Sequence, residues 1–419
     1  MKKGPDRVAI IVQRCHPSIT GGSEAHAWQY ARLLKDLFAV DVLTTTALNA
    51  VSWENELPPG RTEEDGIKVC RFEVEGQRTD YWHGLHARLI ADVARERIRR
   101  SRTLDYRDGW TIGMQRDFIA KQGPNAPGLW NYIKTNHSDY LALIFVTYLY
   151  PTTYFGIEAA ADHANTLLVP TLHDEPAAYL SAYRRMARKV RSILWNSEAE
   201  RRLAFSLWGP LGGQMVSMAI DSDAPEKREA TDAPFVLYSG RVDNHKGCGE
   251  LFDFFIAFKK RYPSNLRLKL TGVSTMEVPH HRDIEFLGFV SNEEKKRLMS
   301  GATAFVMPSA NESLSIVTLE ALAHQTPVLA NAHGTVVAEH LAKSRGGLVY
   351  STPESFIAAL KEMLTSQDRQ GMGRRGRRYV LENYDEKVVR ERLIRSIGGH
   401  LSRCTDPRRK RSHGSFRFE

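Results

Sequence analysis

The sequence predicts an α/β protein of two domains, each built on a parallel sheet. Short apolar runs alternate with segments of helical period through both halves of the chain. At 419 residues the chain is longer than one compact core normally holds. A polar stretch without apolar periodicity, Asp221 to Pro234, separates the halves.

In the first half the expected strands are Val8–Val12, Val40–Leu43, Val69–Phe72, Leu141–Thr147, Thr166–Pro170, Ile193–Trp195 and Met215–Met218. A helix after the first strand carries Ala27, Tyr30, Ala31, Leu34, Leu37 and Phe38 on one face. Residues 80–138 are rich in charge and aromatics and are expected to form an insertion near the cleft mouth, where acceptor selection sits. In the second half the expected strands are Phe235–Ser239, Leu266–Thr271, Ile284–Leu287, Ala304–Met307, Val328–Ala330 and Leu348–Tyr350. A last amphipathic helix carries Val388, Val389, Leu393, Ile394 and Ile397. The expected organisation is a first domain over 1–221, a linker over 222–234, a second domain over 235–384, a helix over 385–400 and a basic tail over 401–419.

Hydrophobic content of 42% and charged content of 26% argue against disorder. No run approaches 18 apolar residues, so no membrane span is expected. The apolar run near the start is short, as for a first strand and unlike a secretory signal. Cys15, Cys70, Cys248 and Cys404 have no paired spacing, so reduced thiols in a cytoplasmic protein are expected. The formal net charge is +9. Basic residues gather at Arg95, Arg97, Arg99, Arg100 and Arg102, and again in the tail, where Arg403, Arg408, Arg409, Lys410, Arg411 and Arg417 face only Asp406 and Glu419. These patches either touch anionic lipid at the inner face of a membrane or stay solvated. They match no nucleic-acid-binding module.

The segment from Ala304 to Ala330 holds Glu312 and Glu320, eight residues apart across a strand, a loop and a helix. A loop at the carboxyl edge of a parallel sheet is where ligands bind. The helix start there, at Ser315, Ile316 and Val317, aims free amides at an anion. Glu320 is expected about two turns along, ~12 Å. Taken alone, the pair reads rather as solvated helix charges, and the flanking motifs reverse that reading. After the strand Phe235–Ser239 comes Gly240-Arg241-Val242-Asp243-Asn244-His245-Lys246-Gly247, which sets two cations, Arg241 and Lys246, on a loop at another carboxyl edge. Cations so fixed answer the charge that develops on a departing diphosphate. Gly21 and Gly22 allow backbone amides close to a phosphate, although two glycines are equally a plain turn. His173, after the strand Thr166–Pro170, either contacts a transferred sugar or bonds its own backbone.

Together these motifs resemble glycosyltransferase family 4, the retaining group of the GT-B fold. The ordered set is GGSE (Gly21–Glu24), LHD (Leu172–Asp174), WNSEAE (Trp195–Glu200), SGRVDNHKG (Ser239–Gly247), FLGFVSNEE (Phe286–Glu294) and PSANESLSIVTLEALAHQTPVLA (Pro308–Ala330). The resemblance implies two Rossmann-like, doubly wound domains facing a cleft, with the last helix crossing back to the first. It implies that Gly22 approaches donor phosphate and acceptor, His173 contacts the donor sugar, and Arg241 and Lys246 bind the diphosphate. Glu312 is then expected at sugar hydroxyls, Glu320 at the ribose, Val290 and its neighbours at the base, and Ser315 to Val317 at the diphosphate.

The implied activity moves a hexose-like unit, with retention, from a nucleoside diphosphate sugar to a hydroxyl of a glycan or lipid-linked acceptor. The setting would be cell-surface polysaccharide or lipid-linked glycan synthesis. The alternatives are an epimerase or phosphorylase of the same fold, or a non-catalytic subunit. Ser313, Ser315 and Gln325 stand where the family often has glycine, and Met218-Ala219-Ile220-Asp221 replaces its usual N-G-V/I-D. The serine at the helix start is expected to cap it. Asp221-Ser222-Asp223 spells a metal-binding D-x-D, but it sits in the linker, and no metal cofactor is expected.

Overall fold

The computed structural model describes residues 5–17, 19, 21–76, 78–99, 103–160, 165–223 and 233–398. Thr20, most of the expected linker (224–232), Arg100, Arg102, Cys404 and the basic tail lie outside them.

The first domain runs β1 (Arg7–Ile11), α1 (Gly22–Leu34), β2 (Ala39–Thr45), β3 (Gly60–Glu64), β4 (Ile67–Phe72), α2 (Asp80–Arg99), α3 (Ile112–Gln122), α4 (Pro127–Asn136), β5 (Ala142–Val146), α5 (Pro151–Ala159), β6 (Thr166–Val169), α6 (Ser181–Ala187), β7 (Ser192–Trp195), α7 (Glu198–Trp208) and β8 (Gly213–Met215). These strands form an eight-stranded sheet in the order β3-β4-β2-β1-β5-β6-β7-β8. Every pairing is parallel except β3 with β4. β1 and β5 read as unbroken apolar runs because helices cover both faces of the sheet; Val8 to Ile11 and Ala142 to Val146 are wholly buried.

The second domain runs β9 (Phe235–Ser239), α8 (Cys248–Arg261), β10 (Arg267–Thr271), β11 (Ile284–Phe286), α9 (Asn292–Gly301), β12 (Ala304–Met307), α10 (Ile316–Ala323), β13 (Val328–Asn331), α11 (Thr335–Ser344), β14 (Gly347–Tyr350), α12 (Pro353–Thr365) and α13 (Arg369–Tyr384). Its six-stranded sheet is parallel throughout, in the order β11-β10-β9-β12-β13-β14. Both domains are therefore doubly wound Rossmann-like units.

Three expectations change. The edge strand β3, Gly-Arg-Thr-Glu-Glu, is polar and almost wholly exposed, so no apolar alternation announces it. Its turn does: Asp65 and Gly66 both adopt positive φ, the requirement of a tight two-residue hairpin. The strand expected at Met215–Met218 lies earlier, at Gly213–Met215, and Ser217 ends the extended path with φ 67°. Residues 80–138, expected as an insertion, pack into the body of the first domain. Trp82, Leu85, Leu89, Trp110, Phe118, Leu129 and Ile133 join the core on one face of the first sheet. The aromatics that made the segment look atypical are that layer's packing residues.

A final helix, α14 (Glu386–Ile397), returns to the first domain. Val389, Leu393 and Ile397 recur at helical spacing, are fully buried, and pack in the core that also holds Ala27, Tyr30 and Leu34 of α1. Arg191 donates to the carbonyls of Ser396 and Ile397 at 2.7 and 3.1 Å, satisfying the helix end. The forward crossing is pinned too: the Gln29 amide exchanges two 2.7 Å bonds with Ala219, and Ile220 N donates to Tyr384 O at 2.9 Å. Replacing Leu393 by Ala removes a fully buried side chain from the joint between the domains. The expected loss is about 2–5 kcal/mol, read as a lower denaturant midpoint; an unchanged midpoint would mean that α14 is not anchored there.

Candidate active site between the domains

The expected site residues come from loops at the carboxyl edges of β1, β6, β9 and β12, which face one another across a cleft. A cavity of about 590 Å³ there is lined by Gly22, His173, Gly240, Arg241, Lys246, Glu312, Ser315, Ile316 and Val317. A neighbouring chamber of about 850 Å³ shares Gly240, Arg241 and Val317 with it and adds Gly21, Val290 and Lys295. A larger cavity, about 1060 Å³, lies along α1 beside Trp28 and contains none of these residues. Chemistry rather than volume marks the site.

The β9 loop is organised by Asp243. Its carboxylate caps the turn Asn244–Lys246 by accepting from Lys246 N at 2.7 Å, and it also pairs with Arg241. Burial disfavours its charge, but the Arg241 guanidinium and the Lys246 amide prevail and hold it below the usual carboxylate range. Lys246 reaches across to the β12 loop, where its Nζ lies 2.7 Å from Glu312 Oε1. Each expected phosphate-binding cation thus already has a carboxylate. Gly272, at φ 123°, closes the floor: a Cβ there would fall 2.0 Å from Gly240 O.

α10 begins at Ile316, so Glu320 lies about one turn along it, not two. Lys295 holds both its oxygens, at 2.8 and 3.0 Å, and Glu320 itself lines neither chamber. Ser315 does not cap the helix. It sits in the left-handed region at φ 59°, and its hydroxyl meets that of Thr318 at 2.9 Å. Gln325 is also left-handed, at φ 58°. At both positions this chain accepts a strain that glycine avoids. The first intrahelical bonds run from Thr318 N and Leu319 N to Ser315 O. The amides of Ile316 and Val317 precede them, and both residues line the cavity.

On the first-domain wall His173 is partly exposed, with Nε2 at 3.6 Å from Glu175 Oε2. Glu175 also accepts from the Tyr148 hydroxyl at 2.6 Å. Glu24, beside the two glycines, is buried and pairs with Arg14 at 2.6 Å. Asp221 of the D-x-D pairs with Lys296 at 2.6 Å.

Sequence reasoning missed Asp243, Lys295 and Glu200. Asp243 carried a signal, a short acid three residues before Lys246, as an N-cap requires. Glu200 reads as the acid of a capping box begun by Ser197. Ser197 does cap Glu200 N at 3.1 Å, and the Glu200 carboxylate also accepts from Leu172 N at 2.8 Å and Asn196 N at 2.6 Å. It therefore ties the loop carrying His173 to the loop of Ser197. Ser197 in turn donates to Ser313 O at 3.2 Å, next to Glu312 in the other domain.

Residues 220–379 match the family model described as glycosyl transferases group 1. An uncharacterized glycosyltransferase of Methanocaldococcus jannaschii is 27% identical over 172 residues, 38% of this chain and 44% of that protein. The D-inositol 3-phosphate glycosyltransferase of Corynebacterium urealyticum is 29% identical over 187 residues, 39% and 43% of the two chains. The alignment thus spans less than half the length of these curated relatives. Among solved structures, sucrose-phosphate synthase from Thermosynechococcus elongatus superposes with a TM-score of 0.65 at 16% identity, covering 93% of this chain and 98% of that one. Anabaena HepE, solved in complex with UDP and glucose, gives 0.63 at 13% identity, covering 94% and 99%. The fold is GT-B.

Burial lifts the Glu200 carboxyl from 4.5 to about 7, against the hydrogen bonds from Asn196 and Leu172 that favour its charge. The folded protein then binds more protons than the unfolded chain between those values. The stability this contributes is fully present below about 4.5 and lost as pH rises to about 7. Glu200→Gln removes the titration, so its melting temperature relative to wild type should rise between pH 5 and pH 8. A pH-independent difference would show that Glu200 titrates as an ordinary carboxylate.

Proposed function

We propose that the protein is a retaining glycosyltransferase that moves a hexose-like unit from a nucleoside diphosphate sugar to a hydroxyl of a glycan or lipid-linked acceptor. The observation that carries the reading is the convergence of Arg241, Lys246, Glu312 and the α10 start on one cavity whose opposite wall holds Gly22 and His173. The matched group 1 segment and the UDP-bound neighbour support it.

The donor diphosphate lies between the two cations and the amides of Ile316 and Val317, which meet it with fixed positive charge. Its oxygens replace Asp243 and Glu312 as partners of Arg241 and Lys246. Glu312, so released, accepts from hydroxyls of the donor sugar, and His173 approaches the same sugar from the first domain. Glu320, handed over by Lys295, accepts from the ribose. Val290 and its neighbours border the base. The acceptor oxygen forms the new bond to the anomeric carbon on the face that the diphosphate leaves. The bond from that carbon to the phosphate oxygen breaks, and its electron pair stays with the phosphate, which takes the acceptor's proton. Two carboxylates flanking the anomeric centre would suit a glycosidase; here Glu312 and Glu320 are held apart by different lysines.

Charge-assisted bonds to phosphate contribute roughly 1.5–3 kcal/mol each. Arg241→Ala and Lys246→Ala should each slow turnover by at least about tenfold to a hundredfold with the fold intact. Near-wild-type rates in both variants would sink the assignment.

The same cations and helix start are proposed to neutralise the leaving group without a metal, while Asp221 is engaged by Lys296. Excess EDTA, or added Mg²⁺ or Mn²⁺, should change the rate by less than about threefold, a barrier shift under about 0.7 kcal/mol. Activity abolished by EDTA and restored by Mn²⁺ would return Asp221 and Asp223 to consideration as ligands.

A further inference from the structure

Arg78, just ahead of α2, is a half-buried cation of the first domain. Its guanidinium carbon lies 4.7 Å from the centre of the Trp82 ring and 5.8 Å from that of Trp53. Nε donates to Gln122 O at 2.9 Å, a carbonyl that also accepts from the Trp53 indole at 3.0 Å. Stacking and this one bond fix the plane of the fork. Among the described residues, its two terminal nitrogens have no hydrogen-bond partner and no carboxylate pairs with it.

Other cations set into this domain are matched. Arg14 has Glu24, Arg71 has Glu64 and Arg116 has Glu158, while Arg191 meets the carbonyls ending α14. Burial pushes the Arg78 guanidinium down, and only the Tyr150 hydroxyl works against it. A cation half withdrawn from water without a paired carboxylate keeps part of its desolvation cost. An immobilised guanidinium with free terminal donors is also the group best shaped for a bidentate phosphate or carboxylate.

Its position says which ligand brings that anion. Trp53 packs edge-on against Tyr150 at 5.4 Å, and Tyr150 lines the cleft wall together with Glu175. His86 stacks on Trp82 at 4.9 Å, close enough to Arg78 and Glu175 to feel both charges. The proposed donor diphosphate site belongs to the other domain, where Arg241 and Lys246 stand.

We propose that Arg78, backed by His86, binds an anionic group of the acceptor, which is therefore a sugar carrying a phosphate or a carboxylate rather than a neutral sugar. The inference rests on the transferase reading above for the word acceptor; the anion site itself does not.

The test measures binding, not turnover. The full chain is titrated by calorimetry with glucose 6-phosphate, glucuronate and glucose at matched ionic strength. Each titration is run with and without whichever of UDP, GDP, ADP and dTDP raises the melting temperature most. Wild type should bind at least one of the two anionic sugars tenfold or more tightly than glucose, and the tighter one identifies phosphate or carboxylate as the recognised group. Arg78→Gln should erase that preference and leave nucleotide affinity unchanged. Arg78→Lys, which keeps the charge but loses the fork, should retain part of it, and it serves as the folded comparison if the Gln variant is unstable. Equal binding of all three sugars by wild type would overturn the proposal, as would an undiminished preference in both variants. Failure of every nucleotide to bind would instead count against the transferase reading alone, because the sugar titrations without nucleotide still decide this one.

Discussion

Between β9 and β12 the second sheet reverses its direction of growth, and between β1 and β5 the first sheet does the same. At such a point neighbouring strands send their following loops to opposite sides, and a crevice opens at their carboxyl ends. The buried pairing of Ala304 with Val236 and Phe305 with Leu237 fixes one crevice, and that of Val8 to Ile11 with Ala142 to Phe145 fixes the other. The loops of Arg241 and Glu312 flank the second crevice. The Gly21–Gly22 turn and Tyr150 flank the first. Site geometry is thus inherited from parallel pairing, and α14 with the Met218–Asp221 crossing sets the two crevices face to face.

That inheritance explains what was legible in the sequence. A parallel strand covered on both faces must be apolar at nearly every position, so Ala304–Met307 and Phe235–Ser239 appear in the sequence as the runs they form. Any polar or glycine-rich stretch that follows such a run lies at the ligand edge, which made the positions of Gly240 to Lys246, Glu312 and His173 readable. Where burial is one-sided or absent the signal fails. β3 has no buried face to read, and α2 and α3 look merely charged and aromatic until the sheet they cover is known.

Side-chain partnerships were not legible, because they join residues far apart in sequence. Nothing local ties Lys246 to Glu312, Lys295 to Glu320 or Glu200 to Leu172. Glu200 also shows how a local rule leaves distant partners unread. Its spacing from Ser197 fits a capping box, and the carboxylate also accepts from Leu172 N and Asn196 N on two loops. The backbone at Ser315 and Gln325 was hidden for another reason. Only glycine advertises a left-handed conformation, and here other residues adopt it under tertiary constraint.

The distribution of compensated charge separates the two walls of the cleft. On the second domain Arg241 and Lys246, which line the cavity, each stand beside a carboxylate, Asp243 and Glu312, so their charges are largely compensated. An entering anion must then exchange partners rather than simply fill a vacancy, which favours a ligand of high charge density and releases Glu312 for a second task. On the first domain Arg14 is likewise satisfied by Glu24, but Arg78 is held by aromatic faces and one carbonyl. Aromatic stacking orients a guanidinium without neutralising it. The two walls therefore differ in kind. One wall pairs its cations with carboxylates, whereas on the other, among the described residues, no carboxylate pairs with Arg78.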